Sequence, residues 1–162
     1  MTIRHASMED VDAIREVARA SWETDYPEIL SRETAEEGVD EWYSPEQLRR
    51  TLTEPWTVIV VAETEGAVDG FAHAMVDGDD GVVMRLYVHP DRRREGLGRR
   101  LFAETREALL DEGVDRIEAM VLAENDPGNE FYADLGFERA DQGQTRIGGQ
   151  SFPENRYVMT VE

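Results

Sequence analysis

Apolar residues recur along this chain at two spacings. A spacing of two residues predicts β-strands, and a spacing of three to four residues predicts helices. The most informative segment is 82–101, VVMRLYVHPDRRREGLGRRL. An apolar run at 82–88 is followed by a turn at His89-Pro90, the sequence Gly96-Leu97-Gly98, and apolar positions at helical spacing. The pattern predicts a strand, a glycine loop and a helix that ends near Gly113.

The rest of the chain predicts further helices and strands that alternate in the manner of an α/β fold. Capping patterns at Ser7 and Ser44 predict helices that end near Trp22 and Leu52. Asp126, as the cap before Pro127, predicts a short helix that ends at Leu135. Further strands are predicted at residues 2–6, 57–63, 68–76, 116–122, 137–141 and 156–161. The fold class predicted is therefore α/β (α+β), a single domain over residues 1–162 in which helices pack on a mixed sheet. The strands at 82–88 and 116–122 should be parallel, because a helix connects them.

Charge and composition narrow the possible functions. The chain carries 36 acidic and 17 basic residues, all of the latter arginine, for a formal net charge of -19. A basic face for nucleic acid is therefore not expected. The acidic residues are spread along the chain, which favours a surface adapted to high salt, as in halophilic proteins, over an acidic face for a cationic partner. The absence of cysteine excludes disulfides and thiol nucleophiles. No apolar run suits a membrane span, so a cytoplasmic protein without a membrane partner is expected.

Arginines are concentrated beside the glycine loop, at 92–94 and 99–100, with Glu95 among them. A glycine loop that opens a helix exposes backbone N–H groups at the positive end of the helix dipole, which suits a phosphate or diphosphate. The alternative for the arginines alone is an ordinary solvated helix start. The third glycine of a dinucleotide-binding loop is absent, since Leu101 stands there, and a chain without lysine has no P-loop.

Three segments resemble the GNAT superfamily of acyl-CoA-dependent N-acyltransferases. Residues 93–98, RREGLG, fit its Arg/Gln-x-x-Gly-x-Gly/Ala signature. Residues 3–14, IRHASMEDVDAI, are similar to its first strand and helix. Residues 125–137, NDPGNEFYADLGF, are similar to its later motif of an asparagine, an aromatic-tyrosine pair and Gly-Phe. The resemblance covers essentially the whole chain, in the family's order.

The resemblance implies a largely antiparallel mixed sheet with helices on both faces. Its one parallel pair of strands is splayed open to admit the pantetheine arm of acetyl-CoA, the cosubstrate. The backbone of the central strand would bind that arm and polarise the thioester carbonyl, the glycine loop would hold the diphosphate, and an asparagine would bind the pantetheine amides. The cofactor-binding residues implied in this way are Leu86, Tyr87, Val88, Arg93, Arg94, Glu95, Gly96, Leu97, Gly98, Arg99 and Asn125.

By the same resemblance, Tyr132 would act as the general acid that protonates the leaving thiolate. Asn125 alone could simply cap a helix, and Tyr132 alone could be a core tyrosine. Their joint spacing relative to the glycine loop favours the functional interpretation of both, while Phe131 and Leu135 are assigned to the core.

The general base is the open question, because the central strand carries Arg85 where some members of the family place a glutamate. Glu23 is the candidate, with Asp25, Glu118, His73 and a water chain as alternatives. Arg85 either pairs with a structural acid or binds a substrate carboxylate. The three histidines lack metal-ligand spacing, so no metal site is predicted.

The function expected is direct transfer of an acetyl group from acetyl-CoA to a primary amine. The acceptor, a small molecule or a peptide, would be recognised by the segment 22–43, which is rich in aromatic and acidic residues. The alternative is a non-catalytic acyl-CoA-binding or sensor module on the same fold. Dimers are common in the resembled family, which makes a homodimer a further expectation.

Overall fold

The computed structural model describes residues 2–25, 38, 43–93, 95–147 and 149–160. The predicted site residue Arg94, most of the acceptor segment 22–43 and Val161 lie outside these ranges. The helices are α1 (Val11–Asp25), α2 (Pro45–Thr53), α3 (Leu97–Asp111) and α4 (Asp126–Asp134). The strands are β1 (Thr2–His5), β2 (Thr57–Thr64), β3 (Ala67–Asp77), β4 (Asp80–Val88), β5 (Arg116–Leu122), β6 (Glu138–Ile147) and β7 (Gln150–Thr160). None of the helices in the described part of the chain combines the length and apolar character needed to cross a bilayer.

The strands form one sheet in the order β1-β2-β3-β4-β5-β7-β6. β4 and β5 are parallel, and all other neighbouring pairs are antiparallel. Helix α3 connects the parallel pair, as expected from the predicted strand-helix-strand unit. The predicted mixed, largely antiparallel sheet is confirmed.

Helices cover both faces of this sheet. Along β2, Val60 packs in one core cluster with Leu101 and Leu109 of α3, whereas the adjacent Val61 packs in a second cluster with Ile14 of α1. Successive side chains of a strand point to opposite faces, so α1 and α3 lie on opposite sides. We call these the α1 face and the α3 face.

The parallel strands separate at one end. β4 and β5 pair only between Asp80–Val83 and Arg116–Ala119. Beyond that point β5 continues to pair with β7 as far as Leu122, and β4 continues with β3. A bulge at Met84 interrupts the ladder with β3, because Val83 lies opposite Ala74 and Arg85 lies opposite His73. A bulge bends its strand and increases its twist, which fits the divergence of β4 from β5 here.

Two predictions of local structure were wrong. Strands β6 and β7 are much longer than the predicted 137–141 and 156–161, and they form a continuous hairpin. The side chains of β6 are exposed from Glu138 to Gln144, so this strand has no buried face and no apolar alternation. The second error concerns the cap of α4, which is Asn125 and not Asp126. The Oδ1 atom of Asn125 accepts a hydrogen bond from the Gly128 N–H at 3.2 Å.

Candidate active site

A cleft of about 400 Å³ lies where β4 and β5 separate. Its walls are the end of β4, the loop and first turn of α3, the end of β5 and the start of α4. Glu154 of β7 and Ile147 of β6 also contact it. The structure brings ten of the predicted site residues together along this cleft: Leu86, Tyr87, Val88, Arg93, Gly96, Leu97, Gly98, Arg99, Asn125 and Tyr132.

The backbone of β4 presents two of its residues to the cleft. The His89 N–H donates to the Asp69 carbonyl at 2.7 Å, which makes these residues a hydrogen-bonded pair with β3. Because hydrogen-bonded and non-bonded pairs alternate in an antiparallel ladder, Tyr87 bonds with Phe71, while Val88 and Leu86 are the non-bonded positions. The N–H groups of Leu86 and Val88 therefore point away from β3 and toward the gap.

No side chain of the described residues caps the N-terminus of α3. Its cap is Gly96, which has φ +81° and no side chain to accept a hydrogen bond, and the first turn contains no acidic residue. The first backbone N–H groups of a helix have no partner within the helix. The Arg100 N–H donates to the Gly96 carbonyl at 3.2 Å, so the free donors are those immediately before it. The glycine loop therefore offers unpaired donors at the positive end of a 15-residue helix.

Gly98 is the second residue of α3 and lies against α4. A Cβ atom at this position would lie 3.2 Å from Cε1 of Phe131 and 3.8 Å from Cδ2 of Leu86. The absence of a side chain thus lets α3 and α4 approach each other beside the cleft, in addition to exposing the helix backbone.

The arginines around the loop have different roles. Arg93 donates from Nε to the Val88 carbonyl at 3.0 Å, which connects the loop to the end of β4. Arg92 lies 3.4 Å from the Asp69 carboxylate and 3.6 Å from that of Glu95. Arg99 is exposed, lines the cleft and forms no ion pair with a described residue. Glu95 itself is exposed and does not line the cleft, so the structure does not place this predicted residue at the site.

Tyr132 lies on α4 with its ring buried in an aromatic group. The ring contacts those of Phe131, Phe137 and Tyr157 at centroid distances of 5.1, 5.3 and 6.2 Å. Tyr132 lines the cleft, and its hydroxyl forms no hydrogen bond with any described residue. Burial raises the pKa of Tyr132 well above its usual value, with a smaller contribution from Tyr87, so the phenol is protonated at neutral pH.

Polar side chains anchor the start of α4. The Asn129 amide donates to the carbonyls of Asn125 and Leu122 at 2.7 and 3.1 Å. Its Oδ1 accepts from Tyr157 Oη at 2.6 Å and from Asn155 Nδ2 at 2.8 Å. Asn129 thereby fixes α4 to β5 and β7, three residues before Tyr132. Nothing in the family motif distinguishes it from a surface asparagine, so its role was not recognised in the sequence.

Glu154 is the cleft residue that sequence reasoning missed. It lies on β7 opposite Leu122 and is half-buried. Among the described residues that line the cleft, it is the one carboxylate. Burial raises the pKa of Glu154, and the positive charge of Arg85 partly opposes that shift. Residue 154 falls between the predicted strands 137–141 and 156–161, and nothing in the sequence places that segment near Tyr132.

The base candidates from the sequence lie elsewhere or are already paired. Glu23 pairs with Arg19 on α1 at 2.8 Å and does not line the cleft. The side chain of Asp25 lies outside the described residues. Glu118 contacts both Arg156 at 2.5 Å and Arg116 at 3.4 Å. Burial, reinforced by Arg85, lowers the pKa of His73 to about 4.

Arg85 is a cleft-lining arginine whose charge acts on several titratable side chains. It lines the cleft, donates to the Met84 carbonyl, and acts electrostatically on Tyr132, Glu154 and His73. Its neighbours therefore define one polar region where β4 and β5 diverge.

Comparisons with known proteins agree with this architecture. An uncharacterized N-acetyltransferase of Bacillus subtilis, YuaI, is 32% identical over 164 residues, which cover 95% of this chain and 90% of the relative. A spermidine N(1)-acetyltransferase of Thermoplasma acidophilum is 28% identical over 143 residues, 86% of this chain and 89% of the relative. The crystal structure of the PaiA N-acetyltransferase from T. acidophilum in complex with coenzyme A superposes with a TM-score of 0.85. That pair is 27% identical, with 95% of this chain and 96% of the other covered.

The profile of the acetyltransferase (GNAT) domain matches residues 55–139, just over half of the chain. This range runs from the segment before β2 through the glycine loop and α4 to the start of β6, and so contains most of the cleft. As its motifs predicted, the chain belongs to the GNAT family of acetyltransferases, which use acetyl-CoA as cosubstrate.

Proposed function

We propose that this protein transfers the acetyl group of acetyl-CoA to a primary amine by direct attack on the thioester. The observation that carries the proposal is the continuity of the cleft. It runs from the N-terminus of α3, where no side chain caps the helix, through the gap between β4 and β5 to Tyr132. One elongated ligand with an anionic end and a reactive end would fit along this path.

The glycine loop suits the diphosphate of the cosubstrate. Within the described part of the chain, no side chain caps the first-turn N–H groups of α3, and Arg99 forms no ion pair. Arg93 is engaged with Val88, so its contribution is to hold the loop against β4. Charge-assisted hydrogen bonds from helix N-termini and guanidinium groups are the usual means of binding such anions.

The gap between the strands suits the pantetheine arm. The N–H groups of Leu86 and Val88 point into it, and the arm would extend β4 where β5 has diverged. Asn125 uses Oδ1 to cap α4, which leaves its Nδ2 group able to donate to a pantetheine carbonyl. A β4 N–H would likewise stabilise the oxygen of the thioester as negative charge develops on it.

In this mechanism the amine nitrogen attacks the carbonyl carbon, and the C–S bond then breaks. The Tyr132 hydroxyl donates its proton to the departing sulfur, a role that requires a protonated phenol. The raised pKa of Tyr132 keeps it in that form. No covalent enzyme intermediate is required, which agrees with a chain that contains no cysteine.

The acceptor we propose to test first is a polyamine, because one relative is named a spermidine acetyltransferase. A net charge of -19 would also attract cationic amines at low salt. Release of free thiol should be followed with spermidine and with a panel of amino acids, peptides and other alkyl amines, at low and molar KCl. A homodimer remains a prediction.

The cosubstrate site is tested by exchanging a glycine at each end of α3. Gly96 and Gly113 both have left-handed torsions, with φ of +81° and +87°, and a Cβ atom at either would meet no atom within 4 Å. Valine at each position should therefore cost a similar free energy of unfolding. Gly96→Val should also displace the amides of the loop and weaken acetyl-CoA binding by about tenfold or more in calorimetry.

Gly113→Val is the matched control, and it should retain the affinity of the unaltered protein. The proposal fails if acetyl-CoA does not bind, if both valine variants bind it equally well, or if no amine releases thiol.

A further inference from the structure

Two titratable groups enter the cleft from opposite faces of the sheet. Tyr132 packs in the core cluster of the α3 face. Leu122 packs in the cluster of the α1 face, and Glu154 lies directly opposite Leu122 in the β5–β7 ladder. Directly paired residues on neighbouring strands share a face, so Glu154 projects on the α1 face. The gap between β4 and β5 is thus bordered by a phenol on one side and a carboxylate on the other.

This division matches the two partners of the reaction. The glycine loop belongs to α3, so the cosubstrate would enter on the α3 face, where Tyr132 can reach its sulfur. The acceptor must approach the thioester carbonyl from the remaining, opposite side. The carboxylate on that side is Glu154.

The carboxylate of Glu154 is also unengaged. It forms no hydrogen bond or ion pair with any described residue, although it is half-buried. The nearest cation on its own strand and face is Arg156, two residues along, and this side chain is bonded to Glu118 and Asp141. A partly buried carboxylate without a partner is costly unless a ligand supplies one.

We propose that Glu154 is the general base that removes a proton from the ammonium group of the acceptor. This assignment rests on the proposed function and adds the residue that the family motifs leave unidentified. Glu154 takes one proton from R–NH3⁺, and the neutral amine forms the C–N bond as the C–S bond breaks. Tyr132 gives its proton to the sulfur and recovers one from the new amide nitrogen. The proton held by Glu154 then passes to solvent, so the sum is one amide, one thiol and one released proton.

The surroundings of Glu154 suit such a base. Arg85 and Tyr87 of β4 line the cleft from the same face of the sheet as Glu154, and Tyr132 of α4 lines it from the other face. Its paired residues on β5 and β6, Leu122 and Gly143, carry no charge. Burial raises the pKa of this carboxyl and the charge of Arg85 limits the rise, which makes Glu154 more basic than a surface carboxylate.

The test is the pH profile of Glu154→Gln with spermidine, or with whichever amine of the screen turns over fastest. At pH 7, kcat/KM should fall by about 100-fold, because general-base catalysis typically contributes a factor of this order or more. Without the base, only amine molecules that are already neutral can react. The kcat/KM of the variant should therefore rise about tenfold per pH unit. Near the pKa of the amine it should approach the kcat/KM of the unaltered enzyme, which has reached its plateau at that pH.

Four accompanying measurements separate this role from others. Acetyl-CoA affinity and thermal stability of Glu154→Gln should match those of the unaltered protein, and Glu154→Asp should restore part of the rate. Glu124→Gln, which removes an exposed carboxylate outside the cleft, should leave the profile unchanged.

A Glu154→Gln profile that stays parallel to that of the unaltered enzyme at every pH overturns the assignment. An increase in KM alone also overturns it, since that result describes a residue that binds the ammonium without removing its proton. If the unaltered protein acetylates no amine, the proposed function fails first, and the assignment fails with it.

Discussion

The ring and the hydroxyl of Tyr132 have separable tasks. The ring packs against three aromatic neighbours, while the hydroxyl of this cleft-lining residue forms no hydrogen bond with a described residue. Tyr132→Phe should therefore keep the free energy of unfolding within about 0.5 kcal/mol. Acetyl-CoA affinity should also be unchanged, but kcat should fall by about 100-fold because the thiolate loses its acid. Urea unfolding, calorimetry and thiol release measure the three quantities.

Tyr157 provides a control for this change, because its ring stacks on that of Tyr132 and its hydroxyl donates to Asn129 at 2.6 Å. Tyr157→Phe should lose about 1 kcal/mol of stability with its hydrogen bond and keep most of its rate. An unchanged kcat in Tyr132→Phe would instead mean that another group, such as water, protonates the thiolate. The sensor function predicts no turnover in either protein.

At the scale of single residues, sequence reasoning located the parts of the site that lie within continuous motifs. Gly96, Gly98, Asn125 and Tyr132 are close to one another in pairs along the chain, and all line the cleft. Glu154 could not be found in the same way. It reaches the cleft because β7 lies between β5 and β6 in the sheet, and strand order is a property of the whole fold.

The elements that could be predicted from sequence are those with a buried face. β2 is a continuous apolar, mostly β-branched run that is buried on both faces, α3 carries apolar residues at the helical period, and both were located. β6 is exposed over most of its length, and the pairing of its backbone with β7 maintains it as a strand. Because backbone pairing leaves no pattern of apolar side chains in the sequence, the predicted strands of this hairpin were too short.

Helix α4 is short, and its position depends on Asn129 as much as on apolar packing. Asn129 donates to backbone carbonyls of β5 and the loop after it, and accepts from Asn155 and Tyr157 of β7. Leucine is close to asparagine in volume, but Asn129→Leu leaves these buried hydrogen-bonding partners unsatisfied. It should cost about 2–3 kcal/mol of unfolding free energy, measured in urea.

The same substitution should lower kcat, because Tyr132 and Asn125 lie at either end of the segment that Asn129 holds. Gln142→Leu is the matched control, since Gln142 is exposed and makes one side-chain hydrogen bond, to Asn155 at 2.9 Å. Equal stability losses in the two variants would contradict a particular role for Asn129.

Over the whole molecule, carboxylates outnumber arginines by 36 to 17. Several arginines bridge two acids, as Arg4 does with Asp10 and Glu63 at 2.9 and 2.7 Å, and Arg156 does with Glu118 and Asp141. Surface ion pairs each contribute about 0–1 kcal/mol, so these bridges offset only part of the repulsion among the remaining acids. The balance predicts a fold that is weakest at low salt.

Adaptation to high salt therefore predicts how the stability of the protein depends on KCl concentration. The urea midpoint of unfolding should rise with KCl most steeply below about 0.5 M, because the screening length falls from about 10 Å at 0.1 M to about 3 Å at 1 M. A rise that continues linearly at higher salt would reflect exclusion of salt from the surface, which strengthens apolar burial in any protein. Repeating the series near pH 4.5, where part of the carboxylates are protonated, should reduce the steep phase and leave the linear phase intact. A midpoint that falls with KCl at pH 7 would mean that the arginine bridges outweigh the repulsion, and the acidic surface would then need another explanation.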